Sequence, residues 1–98
     1  MKDLISNINK LFESRVRLGI MSVLMVNEKY DFNSLKETLH VTDGNLASHL
    51  KALEENGIIQ VNKQFIGRKP NTSYSVTELG VELFKKHLNA LEKLIKRH

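Results

Sequence analysis

The stretch from Val41 to Ile59, VTDGNLASHLKALEENGII, constrains the fold more than any other part of the chain. It predicts a helix over about 43–56, because Thr42 is a favoured N-cap residue and Gly57 can adopt the left-handed conformation that ends a helix. Leucines at positions i, i+4 and i+7 predict one narrow buried stripe, formed by Leu46, Leu50 and Leu53.

The opposite face of this helix is small and polar, and it carries little charge near its N-terminal end. Gly44 and Ser48 point away from the leucine stripe at about 100° per residue, with Asn45 beside them. A purely solvated helix more often carries long Glu and Lys side chains at i, i+4 spacing. Short polar side chains permit close approach to hydrogen-bonding edges such as those in the major groove of DNA. The helix alone leaves two interpretations open, a groove-binding helix and an ordinary amphipathic surface helix.

Length and composition favour one domain over residues 1–98 and narrow the classes of partner. The formal charge of +4 favours an anionic partner. There is no cysteine, and the histidines are scattered without an i, i+4 pair, so we expect no metal and no cofactor. No apolar run is long enough to span a membrane and no signal-peptide pattern is present, so we expect a cytoplasmic location.

The first third of the chain is predicted to be helical. Apolar residues of helical period predict a helix from Asp3 to Phe12, and Ser14 is predicted to cap a second helix over about 15–26. Gly19 lies inside the second helix, where it indicates close packing of a neighbouring element.

A short strand and a short helix are predicted to precede the central stretch. The strand covers residues 30–32, and Asn33 is expected to cap the helix. The buried side of that helix is expected to be Phe32, Leu35 and Leu39. Only His40, Val41 and Thr42 then separate two helices, which is the helix-turn-helix arrangement. Glycine often occupies the position of His40, but histidine tolerates positive φ better than most residues.

The rest of the chain predicts a hairpin and a final helix. Residues 58–65 read as a strand, 66–71 as a loop and 72–76 as a returning strand. Thr77 and Glu78 then open the last helix. The prediction is a mainly α fold with a small β-hairpin (α+β), in the order α-α-β-α-α-β-β-α.

This ordered set resembles the winged-helix transcriptional regulators of the broad MarR and ArsR group. Residues 42–59 look like their recognition helix and following strand, Gly67-Arg68-Lys69-Pro70 looks like their wing, and residues 74–80 look like the start of their last helix. The resemblance covers nearly the whole chain and is strongest to compact single-domain members. ArsR-type metal sensors usually carry cysteines, so the resemblance does not extend to metal sensing.

The resemblance implies a dimeric regulator that binds double-stranded DNA in a sequence-specific way, which we expect to be a repressor. The recognition helix at about 43–56 would enter the major groove, and the wing at about 63–71 would meet the minor groove or backbone. A small-molecule effector is compatible with this function, but the sequence identifies none.

The DNA-facing residues expected from the recognition helix are Thr42, Gly44, Asn45, Ser48, His49 and Lys51. Asn45 can offer its amide to adenine, and Ser48 can donate or accept. Lys51 suits a phosphate better than a base. His49 matches a histidine common in the ArsR-type motif, yet it lies nearer the leucine stripe, so packing and DNA contact both stay open.

The wing is expected to contribute Lys63, Arg68 and Lys69. Arginine on a narrow loop suits a narrow minor groove rich in A·T pairs, where the negative potential is deepest. The alternative is a solvated hairpin tip, where positive charge is ordinary.

Both terminal helices carry more apolar surface than a small domain easily buries, which predicts a twofold dimer interface. The residues expected there are Leu4, Ile8, Leu11, Phe84, Leu88, Leu91 and Ile95. The alternative is that the two helices pack only on each other within one subunit.

An enzyme is not expected, because no nucleophile motif, phosphate-binding glycine loop or metal spacing is present. The main alternative to a DNA-binding regulator is a winged-helix module that binds another protein.

Overall fold

The computed structural model describes residues 5–96. A 3-10 turn at Lys10–Phe12 is followed by α1 (Arg15–Leu24), β1 (Tyr30–Asp31), α2 (Phe32–Leu39), α3 (Asp43–Glu55), β2 (Ile59–Ile66), β3 (Lys69–Val76) and α4 (Glu78–Lys96). The strands form one antiparallel sheet in the order β1-β3-β2. The mainly helical fold and the predicted order of elements are confirmed.

Over residues 5–12, most of the predicted first helix is not helical. Residues 5–9 form a turn and an extended segment, and only Lys10–Phe12 is helical, as a 3-10 turn. Asn9 accounts for the difference, because its backbone is extended and its side chain accepts a hydrogen bond from the N–H of Leu11 at 2.9 Å. The start of the predicted helix, with Asp3 and Leu4, lies outside the described residues.

The leucine stripe of α3 is buried as predicted. Leu46 and Leu53 are fully buried and Leu50 nearly so. They lie in one core whose other fully or largely buried members are Phe12, Ile20, Met21, Leu24, Leu35, Ile58, Ile59, Tyr74 and Phe84. Burial of each leucine contributes about 1.5–3 kcal/mol, which holds α3 by one face and leaves the other exposed.

Local capping sets most of the helix starts. Ser14 caps α1 as predicted. The predicted cap of α2, Asn33, is wrong, because Asp31 performs this role two residues earlier. The Asp31 carboxylate accepts hydrogen bonds from both the backbone N–H and the hydroxyl of Ser34. These bonds lower the pKa of Asp31 and let α2 begin directly after β1.

Two close contacts tie the helices together. A Cβ on Gly19 would lie 2.7 Å from a methyl of Leu39, so α1 and α2 approach closely as predicted. A Cβ on Gly80 would overlap the carbonyl oxygen of Ile58, so the start of α4 lies directly against the end of the α3–β2 junction. Thr77 reinforces that junction, because its hydroxyl donates to the Gly57 carbonyl at 2.6 Å and accepts from the Gly80 N–H at 2.9 Å.

The hairpin is longer and its loop shorter than predicted. Strands β2 and β3 pair up to Ile66 opposite Lys69, so the turn consists of Gly67 and Arg68 rather than residues 66–71. Gly67 has φ +66°, and two-residue hairpin turns favour glycine at this first position. Pro70 is tolerated within β3 because β1 pairs only farther along the strand and leaves an open edge there.

Within residues 5–96, no helix has both the length and the apolar character needed to cross a membrane.

Candidate nucleic-acid interface

A tight turn fixes the angle between α2 and α3. His40 ends α2 in the left-handed conformation, with φ 54° and ψ 52°. The tolerance expected of histidine at this position is therefore realised. Thr42 then caps α3, and its hydroxyl oxygen accepts from the N–H of Asn45 at 3.2 Å. The hydroxyl proton of Thr42 stays available for an external acceptor such as a phosphate oxygen.

The polar face of α3 is exposed, and its side chains are available for contacts outside the chain. Gly44, Asn45, Ser48 and Lys51 are all exposed. Within residues 5–96, the side chains of Asn45, Ser48 and Lys51 form no hydrogen bond or ion pair. Apart from its chain neighbours and the nearby backbone of α3, no atom of the described residues lies within 4 Å of the position that a Cβ on Gly44 would occupy. This face can therefore meet an external surface closely, with unsatisfied donors and acceptors.

An ion pair flanks the same helix start. The ammonium of Lys36 on α2 lies 2.6 Å from the carboxylate of Asp43, the first residue of α3. Both side chains are substantially exposed, so the pair contributes little to stability, about 0–1 kcal/mol. Its local effect is to neutralise a carboxylate that would otherwise repel an anion near the N-terminus of α3.

His49 is half-buried and hydrogen-bonded within the chain. The Nε–H of Arg17 on α1 donates to its Nδ1 at 2.9 Å, which leaves the proton of a neutral His49 on Nε2. Burial, and then the positive charge of Arg17, lower the pKa of His49. His49 therefore connects α3 to α1 as a neutral side chain, which matches the packing interpretation. Its Nε2–H takes no part in the hydrogen bond with Arg17.

The three cations expected on the wing, Lys63, Arg68 and Lys69, are all exposed. Within the described part of the chain, none of them forms an ion pair. No acidic residue occurs anywhere from Ile58 to Thr77, so the hairpin is uniformly positive. Such a loop can bind an anionic surface without first breaking internal contacts.

Arg15 is a further basic residue that the sequence interpretation missed. It is exposed at the first position of α1 and lines a surface depression of about 500 Å³ with Thr42 and Asn45. The depression lies beside the start of α3, where an arginine suits a phosphate. The sequence signal was a cation directly after the N-cap Ser14, but only the folded chain places it beside residues nearly 30 positions later.

The residues expected at a dimer interface divide into core and surface. Phe84 is only 3% exposed and makes an edge-on ring contact with Phe12, so it belongs to the core of the chain itself. Leu88 is 43% and Ile95 76% exposed, whereas Leu91, Ile8 and Leu11 are half-buried. Leu4 lies outside the described residues.

No group of three or more His, Asp or Glu side chains among residues 5–96 is arranged to hold a metal ion.

Comparison with known proteins places these features in a family. The family model described as winged helix DNA-binding domain matches residues 16–95. An uncharacterized protein of Methanocaldococcus jannaschii is 40% identical over 87 residues, which cover 89% of this chain and 95% of that protein. A solved transcriptional regulator homologue from Pyrococcus horikoshii OT3 is 34% identical, with a TM-score of 0.88 over 98% of this chain and 96% of its own.

More distant structures share the same architecture. Diamide-treated YodB from B. subtilis is 26% identical, with a TM-score of 0.75 over 84% of this chain and 80% of its own. Solved MarR-family regulators at 14% and 23% identity share the fold. The helix-turn-helix, the basic hairpin and a family match over most of the sequence agree, and the chain belongs to the winged helix DNA-binding domain family.

Proposed function

We propose that this chain is a homodimeric, sequence-specific repressor that places α3 in the major groove of double-stranded DNA and the hairpin at the minor groove. The family match and the regulator structures support the coarser function of a DNA-binding transcriptional regulator. The observation that carries the finer proposal is the exposed face of Gly44, Asn45 and Ser48, whose side chains have no hydrogen-bonding partner among residues 5–96 and which lies opposite a buried leucine stripe.

Some residues of this interface are suited to contacts with bases, and others to contacts with the phosphate backbone. Asn45 is suited to a bidentate contact with adenine, and Ser48 can donate or accept at a base edge. Thr42, Lys51 and Arg15 surround this face and are suited to phosphate oxygens, which set the register of the protein without reading sequence. The Nε2–H of His49 is a further donor beside them.

The hairpin supplies the second anchor. Arg68 occupies the turn itself, and Lys63 and Lys69 lie on the two strands. Arginine is favoured in narrow minor grooves, so we expect Arg68 to lie in the groove and the lysines to meet the phosphates on either side.

A dimer is supported by exposed apolar surface on α4. The radius of gyration is 14.8 Å, whereas a compact chain of this length has about 13 Å. Leu88 and Ile95 lie seven residues apart on one face of α4, and both are exposed. A twofold axis at α4 would bury them and present two α3 helices to successive half-sites, about one DNA turn apart.

Binding of selected duplexes at several salt concentrations tests the proposal. Sequences enriched from random duplex DNA should bind more tightly than a scrambled duplex, and log affinity should fall linearly with log salt because counterions are released. The absence of salt-dependent duplex binding would contradict the proposal and favour the alternative, a winged-helix module that binds protein.

A further inference from the structure

Two large apolar side chains lie at the tip of the hairpin, where binding to phosphates alone would require only cations. Phe65 is 73% exposed and Ile66 is 61% exposed. Ile66 pairs with Lys69 at the last position before the turn, and Phe65 pairs with Pro70 beside it. Neither side chain belongs to the hydrophobic core. Both side chains are therefore largely exposed to solvent in the isolated chain.

The exposure results from the length of the hairpin. Side chains alternate along a strand, so Ile59, Val61 and Phe65 share one face of β2. Along this face the first side chain is buried, the second is half-buried and the third is exposed. The strands therefore continue past the core, and the last pairs, Phe65–Pro70 and Ile66–Lys69, project beyond it.

The surroundings of this apolar tip are cationic. Arg68 and Lys69 flank it and Lys63 lies two residues before Phe65, while the whole hairpin lacks acidic residues. The minor groove of DNA is complementary to this arrangement, because phosphates line its edges and the stacked bases at its floor expose their flat apolar faces when a side chain opens the step between them.

We propose that the apolar tip of the hairpin, with Phe65 on one face and Ile66 on the other, enters the minor groove as a wedge, partly unstacks one base step and bends the bound duplex. The inference rests on the proposed function and adds a source of specificity to it. Apolar side chains inserted in this way kink duplexes by about 20–90° toward the major groove. Pyrimidine–purine steps unstack most easily, so the wedge selects a TA or CA step at a position that no hydrogen bond reads.

The test uses the full-length protein and a duplex selected from random sequence, with a fluorescence donor and acceptor at its two ends. Wild-type protein should raise energy transfer through bending, and one thymine at the wing position should become more reactive toward permanganate because it is unstacked. In the double variant Phe65→Ala, Ile66→Ala, both signals should be lost. Its affinity for the selected duplex should fall about tenfold, the size expected for loss of one base-stacking contact.

Two duplexes and two control variants make the test specific. When the flexible step is replaced by a stiff A-tract step, the double variant should bind as well as wild type, because neither protein can unstack the bases there. Arg68→Ala should weaken binding to both duplexes but keep the bend of the bound complex. Val26→Ala should change nothing: Val26 is 80% exposed but precedes β1, which runs antiparallel to β3, so it lies toward the opposite end of the hairpin.

The outcomes separate the two proposals. If wild-type protein fails to bind any duplex at low salt, the proposed function is wrong, and the wedge proposal, which depends on it, is wrong too. If it binds without bending, or if the double variant bends DNA as wild type does, the wedge alone is wrong. If the double variant changes the sedimentation of the free protein and leaves the bend intact, the tip is a protein interface, which also overturns the wedge.

Discussion

At the residue scale, a buried histidine connects the N-terminal segment to the last helix. His87 is 2% exposed, and its Nδ1 accepts a hydrogen bond from the N–H of Asn9 at 3.0 Å. Its ring lies 5.4 Å from the ring of Phe12 and 6.3 Å from that of Phe84, measured between centroids. Burial lowers the pKa of His87, and the nearby Glu13 opposes this effect more weakly. A proton on Nδ1 would break the bond to Asn9 and place a charge among aromatic rings.

The lowered pKa predicts acid sensitivity with a defined sign. Between the folded pKa and the ordinary value of about 6.5, the unfolded chain binds more protons, so stability rises with pH. The contribution of neutral His87 is complete above that ordinary value and is lost as the pH falls toward the folded pKa. We expect the free energy of unfolding to fall less between pH 7.5 and 5.5 in His87→Gln, whose amide still accepts but does not titrate. If urea titrations gave the same dependence of the unfolding free energy on pH for both proteins, this prediction would be contradicted.

At the element scale, the start of α4 is held by a contact that admits no side chain. A methyl at Gly80 would meet the backbone carbonyl of Ile58, which cannot move without disturbing the α3–β2 junction. We expect Gly80→Ala to lower the free energy of unfolding by about 1–3 kcal/mol, the usual cost of overpacking. Gly44→Ala is the matched control, because it lies in open space on a helix and should be neutral or stabilising by up to about 1 kcal/mol. Similar denaturant midpoints for both variants would refute the contact.

At the scale of the whole molecule, the exposed apolar side chains of α4, Leu88 and Ile95, predict a dimer interface. Leu88→Glu would place a carboxylate in the proposed dimer interface and should convert a dimer into a monomer in sedimentation equilibrium at micromolar concentration. Lys86→Glu introduces the same group about 200° around the helix and should leave the dimer intact. A wild-type protein that sediments as a monomer would remove this prediction.

Local signals in the sequence were enough to predict α3, and nonlocal contacts explain what was missed. Thr42, the three leucines and Gly57 determine α3 from within its own span, so its burial and its start were predictable. Over residues 5–9 the expected helix does not form, because the N–H of Asn9 bonds instead to a residue 78 positions away. Phe84 likewise enters the core because Phe12 lies against it. Arg15 lies near Asn45 only because α1 packs beside the turn between α2 and α3.

Helix α3 is proposed to read bases, and alanine variants of its exposed face test this. Affinity is measured for a selected and a scrambled duplex, each at several salt concentrations, in Asn45→Ala, Ser48→Ala and Lys51→Ala. Because Asn45 and Ser48 lie off the leucine stripe, both alanine variants should fold normally, and each should lose about 1–3 kcal/mol of binding free energy on the selected duplex only. Lys51→Ala should weaken both duplexes alike and reduce the salt slope by about one unit. An unchanged ratio of the two affinities in both Asn45→Ala and Ser48→Ala would show that this helix does not read sequence.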